Sequence, residues 1–116
     1  MPAARFVRQW EIHDYPFGAE GSHPALIISS TSRSENGAFE ELNGLFCRSV
    51  RPHFQPKLFH FVLDEADGLD NLTAVRCDHV YVLRREFIGV RRGKVSMSRR
   101  LPLFRKVLEC FQCPPR

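Results

Sequence analysis

The sequence has no apolar run approaching the roughly 18 residues that a membrane-spanning helix needs. Its opening stretch, MPAARFVRQWEIHDY, puts no long apolar segment behind the basic residues, so no secretory signal is expected. Cysteine is scarce, with four in the chain. Without a secretory signal, disulfides are not expected either. Cys47 and Cys77 sit among apolar neighbours and read as small core residues. Cys110-Phe-Gln-Cys113 is a single CxxC, whereas a structural zinc site takes four ligands, usually from paired motifs. A redox CxxC needs a strand–helix setting that this end of the chain lacks. The histidines His13, His23, His53, His60 and His79 show no ligand spacing such as HxxxH. The expectation is therefore no metal and no cofactor. There is no internal repeat and no long linker, so residues 1–116 are read as one domain.

What is present suits a globular domain. Of the 116 residues, 43% are hydrophobic and 26% charged, and ten are Phe. That balance excludes disorder, collagen and coiled coil as overall descriptions. A chain of this length buries roughly two-thirds of its unfolded surface, enough for one core without staples. The net charge of +4 is uneven along the chain. Residues 1–60 balance to zero, 61–78 carry −4 and 79–116 carry +8. A basic end of that size is a field able to attract a polyanion, or else a solvated helix face and hairpin.

The elements follow from alternation and breaks. Residues 8–15 alternate, with Trp10 and Ile12 on one face, and lead to a break at Pro16-Phe17-Gly18. Residues 25–29 are a short apolar run and read as a buried strand. Residues 30–41 contain Asn36-Gly37 among polar residues and read as a loop. Residues 44–50 and 57–63 are further strands, with a loop between them. Asp64 to Asp70 is an acidic connection without the ligand spacing and closing Glu of a calcium loop. Residues 73–83 read as one strand. Val75, Cys77, His79 and Tyr81 lie on one face, with Arg76, Asp78, Val80 and Val82 on the other. Residues 93–96 form a last short strand.

A helix is expected over about 98–112. Phe104, Val107, Leu108 and Phe111 fall on one face, with Arg105, Lys106 and Glu109 opposite. Pro102 leaves two starts open. Either the helix begins near Leu101, or Ser96 or Ser98 caps an earlier start. Short strands around one terminal helix indicate a mainly β fold, a small curled barrel closed by a helix.

Four segments, in this order, resemble the MazF/PemK-type toxins of bacterial type II toxin–antitoxin systems. They are His23-Pro-Ala-Leu-Ile-Ile-Ser29, Asn43-Gly-Leu-Phe-Cys-Arg-Ser49, Leu72-Thr-Ala-Val-Arg-Cys-Asp-His-Val80 and Arg92-Gly-Lys-Val-Ser96 before the terminal helix. The resemblance covers most of residues 8–112. It implies an SH3-like barrel with a C-terminal amphipathic helix, usually a homodimer in the cytoplasm. It also implies metal-independent endoribonuclease activity on single-stranded RNA. A cognate antitoxin with an acidic, extended segment would block the cleft, and promoter DNA would be bound only by the complex of the two. An alternative keeps the barrel without catalysis, as a binder of nucleic acid or antitoxin. A small barrel that reads peptides has little support, because most Phe alternate within strands or the helix.

Metal-free RNA cleavage needs a base for the 2′-hydroxyl, an acid for the leaving 5′-oxygen and donors at the phosphate. The resemblance points to Glu20 as the acidic residue of the first loop, although its offset from Pro24 departs from the commoner spacing. His23 stands where the family has Arg, and an imidazole can act as acid, base or cationic donor. The family's hydroxyl position aligns with Arg48 or Ser49. Strand alternation puts these two on opposite faces unless the strand ends there. Arg48, Arg76, Asp78 and Phe17 are the candidate RNA contacts. Arg76 and Asp78 could equally pair structurally, and Phe17 and Trp10 could serve the core. His23 could instead cap local backbone groups. The cluster Arg91, Arg92 and Lys94 reads as a solvated turn or a phosphate contact.

Overall fold

The computed structural model describes residues 6–112, so Cys113 of the CxxC lies outside the described residues. In chain order the elements are β1 (Glu11–Pro16), β2 (Ser22–Ile27), α1 (Thr31–Ser34), β3 (Glu41–Ser49) and β4 (His60–Leu63). They continue with β5 (Thr73–Arg76), β6 (Tyr81–Arg84), β7 (Arg91–Lys94) and α2 (Met97–Phe111). All strand pairs are antiparallel. The sheet order is β4-β5-β3-β2-β1-β7, with β6 also on β3. The result is a mainly β, curled half-barrel with one C-terminal helix, as the patterning indicated. No helix among the described residues is long and apolar enough to cross a membrane.

β3 organises the sheet because its two faces serve two clusters. Leu45 and Cys47 point into the main core with Ile12, Leu26, Leu63, Val75 and Leu103. Leu42 belongs to a second apolar cluster with Tyr15, Ala25, Ile27 and Leu83 on the opposite face. Gly44 is required where these layers close. A Cβ there would collide with the side chain of Leu83 and press on the Leu26 carbonyl.

The single strand expected over 73–83 is two strands. β6 pairs Tyr81 with Gly44, and β5 pairs Val75 with Cys47. β3 advances three residues between these pairs while the other chain advances six, so the intervening residues leave the ladder. The sheet turns a corner there, and Asp78 and His79 sit in the break rather than on a strand face. The loop expected at 30–41 contains one helical turn, α1, because the Ser30 hydroxyl accepts a hydrogen bond from the Arg33 backbone N–H.

α2 starts after Ser96, and Pro102 lies inside it. Its core contact is rotated from the expected face. Leu103 and Val107 are buried, with Cys110 packed beside them, whereas Phe104, Leu108 and Phe111 are exposed. Truncating Leu103 to Ala would cost about 3 kcal/mol. The acidic connection holds the helix start. Asp67 is buried, accepts from the backbone N–H groups of Asp64 and Ser96, and takes a guanidinium N–H of Arg99. Arg99 also reaches Asp64 at 2.9 Å. The −4 segment and the +8 segment therefore meet and partly neutralise each other. Arg92 forks onto Asp14 at 2.9 and 2.6 Å, and buried Arg85 donates to the carbonyls of Phe39, Arg33 and Asn36. Much of the basic end is thus engaged inside the fold.

Candidate active site

The backbone before Pro24 sets His23. A residue preceding proline is confined to extended conformations, and His23 takes its place in β2 opposite Tyr15. The turn before it closes tightly, with the Phe17 N–H donating to the Gly21 carbonyl at 2.9 Å. Gly21 has φ 81°, which only glycine adopts without strain. This turn brings the Glu20 carbonyl to 2.9 Å from His23 Nε2. A carbonyl only accepts, so Nε2 carries the proton and Nδ1 is the acceptor nitrogen of the neutral ring.

His23 opens onto a groove of about 270 Å³, lined also by Ser22, Pro24, Arg48, Ser49, Arg51, His53 and Phe54. Arg48 and Ser49 stay in register with β5, opposite Ala74 and Thr73, and both border this groove because it lies across the end of β3. A second hollow of about 240 Å³ adjoins it through Pro24 and Ser49 and is bordered by the Asp14–Arg92 pair, Thr73 and Asn71. A larger hollow of about 440 Å³, between the acidic turn and β7, contains neither histidine nor hydroxyl.

The other expected site residues are distributed as follows. The Glu20 side chain is exposed and does not line the groove; its backbone carbonyl is what touches His23. The Phe17 ring packs edge-on against Tyr15, Phe46 and Tyr81, which is core use. Arg76 donates to Asp78 at 2.6 Å, confirming the pair. That bond holds the Asp78 carboxyl below the usual carboxylate range and raises the Arg76 guanidinium. Trp10 packs on the core and meets Phe104. Cys47 and Cys77 are fully buried, as their neighbours suggested. Burial pushes the Cys77 thiol up to about 12.

Arg51, His53, Phe54 and His60 were not singled out from the sequence. The turn at 51–54, closed by the Arg51↔Phe54 bridge, folds the first three back onto the groove. The Arg51-Pro-His-Phe54 run is a weak signal for the first three, since it puts a cation, an imidazole and a ring within four residues. Among the described residues no cluster of three or more His, Cys, Asp or Glu could hold a metal ion. Chemically, the groove offers imidazoles for proton transfer, guanidinium groups for a phosphate and a hydroxyl donor.

No protein-family model and no curated protein matches the sequence. Solved structures do match. An endoribonuclease in complex with its cognate antitoxin from Mycobacterial species superposes with a TM-score of 0.76 at 15% identity, over 95% of this chain and 99% of that one. The Mycobacterium tuberculosis toxin MazF-mt6 gives 0.73 at 16% identity, over 87% and 95%. The MazE-MazF structure (Form-II) from Deinococcus radiodurans gives 0.68 at 16% identity, over 90% and 94%. Such low identity speaks for architecture alone, and on that ground this chain has the fold of the MazF-type toxins.

Proposed function

We propose that the protein is the toxin of a type II toxin–antitoxin pair, an endoribonuclease that cleaves single-stranded RNA without a metal. The carrying observation is the groove in which His23 and His53, Arg48 and Arg51, and Ser49 come together. His23 is the general base in this reading. Its Nδ1 takes the proton of the 2′-hydroxyl, and its Nε2–H stays on the Glu20 carbonyl, which steadies the imidazolium that forms. The 2′-oxygen attacks the adjacent phosphorus, and the bond to the 5′-oxygen breaks. His53 is the general acid for that oxygen. Arg48, Arg51 and the Ser49 hydroxyl hold the phosphate as charge builds on it. Glu20 contributes through its backbone rather than its carboxylate.

The partner in this reading is an antitoxin with an acidic extended segment that covers the groove. Support comes from two solved relatives of the fold whose structures include an antitoxin or MazE. Promoter DNA is bound only by the assembled pair, and the protein acts in the cytoplasm. A second copy docks on α2, where Met97, Leu101, Phe104, Leu108 and Phe111 form an exposed apolar stripe. The alternating steps of four and three residues are those of a helix–helix seam.

The test is incubation of the purified protein with long single-stranded RNA in EDTA. Fragments ending in 2′,3′-cyclic phosphate, lost in His23→Ala, support the reading. Binding of RNA by the folded protein without cleavage would instead favour the non-catalytic alternative.

A further inference from the structure

The even-numbered residues of β3 do not stop being useful beyond the second apolar cluster. Phe46 and Arg48 continue that face. Arg48 stands opposite Ala74 of β5, and Arg76, two residues on, stands opposite His60 of β4. Paired residues of an antiparallel ladder project to the same side, so Arg48, Arg76 and His60 share one surface.

Rings fill the space between the two arginines. The Arg48 guanidinium lies over Phe54 at 4.4 Å from the ring centre. Phe54 meets His60 edge-on at 5.4 Å, and His60 leans on Phe59 at 4.6 Å. Arg76 lies 5.4 Å from the Phe59 ring centre. The order across the surface is cation, ring, ring, ring, cation. Each of these rings is half-buried, and none belongs to either core cluster. Core packing therefore does not account for them.

His60 is fixed in one form. The Lys57 backbone N–H donates to its Nδ1 at 2.9 Å, so the neutral ring presents Nε2–H. Burial pushes its pKa down, and the nearby Arg76, Lys57 and Arg48 act the same way against Asp78. The surface keeps a flat, neutral, donating ring between fixed positive charges. Asp78 is the acidic group nearby, and Arg76 already holds it.

We propose that Phe54, His60 and Phe59, flanked by Arg48 and Arg76, form a base-stacking subsite for single-stranded RNA that extends the His23 groove onto the β4–β5 face. Arg48 and Phe54 line the groove and begin the stripe, so a strand leaving the cleaved bond reaches the rings without a gap. Stacking on such rings tolerates any base, while guanidinium groups follow the phosphates. The subsite rests on the RNA reading above and supplies grip rather than proton transfer.

The test is a binding titration of the full chain with a short 2′-O-methyl oligoribonucleotide, which lacks the attacking hydroxyl. Phe54→Ala and His60→Ala should each weaken binding about tenfold. Arg105→Ala, on an exposed part of α2, should bind like the parent. Thermal unfolding and sedimentation are run on every variant. Parent-like affinity in folded Phe54→Ala and His60→Ala would overturn the proposal. So would a change in sedimentation without a change in affinity, which would assign the face to a second copy. A parent that binds the oligonucleotide through these rings but leaves unmodified RNA intact would sink the cleavage reading and keep the subsite. A parent that cleaves, with variants that bind normally, would do the reverse.

Discussion

The His23 ring and the Glu20 carbonyl oxygen lie 2.9 Å apart. This contact fixes which ring nitrogen is free to accept a proton. His23→Gln keeps a side-chain N–H able to donate to that carbonyl but has no basic nitrogen. Initial rates of RNA cleavage should therefore fall about a hundredfold or more, as for loss of a general base. Thermal unfolding should barely move. Glu20→Gln leaves the carbonyl in place and should cleave at close to the parent rate.

Asp67 binds three donors in a buried position, and one of them is cationic. Asp67→Ala would strand the Ser96 and Asp64 N–H groups and part of Arg99. The expected cost is about 3 kcal/mol, read as a lower urea midpoint. Arg99→Ala leaves both backbone bonds to Asp67 but strips the buried carboxylate of its cation, and should cost a similar amount, about 3 kcal/mol. Both variants, at temperatures where they remain folded, should retain cleavage, because neither residue lines the His23 groove.

Stability should depend on pH in two stages. His60 has a pKa lowered below its ordinary 6.5, chiefly by burial. The unfolded chain then binds its proton first, so stability is full above that value and begins to fall as pH drops below it. Asp64 and Asp78 are held below the ordinary carboxylate range by their arginines. In Glu11 burial pushes upward, but the hydrogen bonds from His13 and the Arg8 N–H outweigh it. These carboxylates add stability above their unfolded values, near pH 4, and lose it as pH falls through the folded ones. Urea midpoints measured from pH 8 to pH 3 should fall gently and then steeply. His60→Gln should remove the gentle part only.

The stripe on α2 makes a separate expectation about assembly. Leu101 and Leu108 are 60% and 52% exposed, so a charge at either position costs the folded monomer little. Leu101→Glu combined with Leu108→Glu should convert a dimer to a monomer in sedimentation at equal protein concentration. An unchanged mass would remove α2 from the interface.

β1 was readable from the apolar Trp10 and Ile12 two residues apart, although both of its faces are covered, Ile12 by the main core and Tyr15 by the second cluster. The break at Cys77–Val80 was not readable. It arises because two strands share β3 at registers three residues apart, a relation between distant segments. The helix was legible in extent but not in rotation. Leu103, Val107 and Cys110 lie one residue behind the equally apolar Phe104, Leu108 and Phe111, and only tertiary contact selects between the two stripes. His23 and Ser49 could be named from motif order. His53 and Phe54 join them because of the turn at 51–54, and His60 meets Phe54 beside the groove on a strand paired with β5, and neither relation leaves a periodic trace.

The most direct measurement is the chemistry of the cut ends after incubation of the purified protein with single-stranded RNA in excess EDTA. The expected products carry a 2′,3′-cyclic phosphate on one side and a 5′-hydroxyl on the other, and RNA with 2′-O-methyl groups throughout stays intact. Cleavage that proceeds on the 2′-O-methyl RNA, or that disappears with EDTA and returns with a divalent metal, would contradict a His23 base acting on the 2′-hydroxyl.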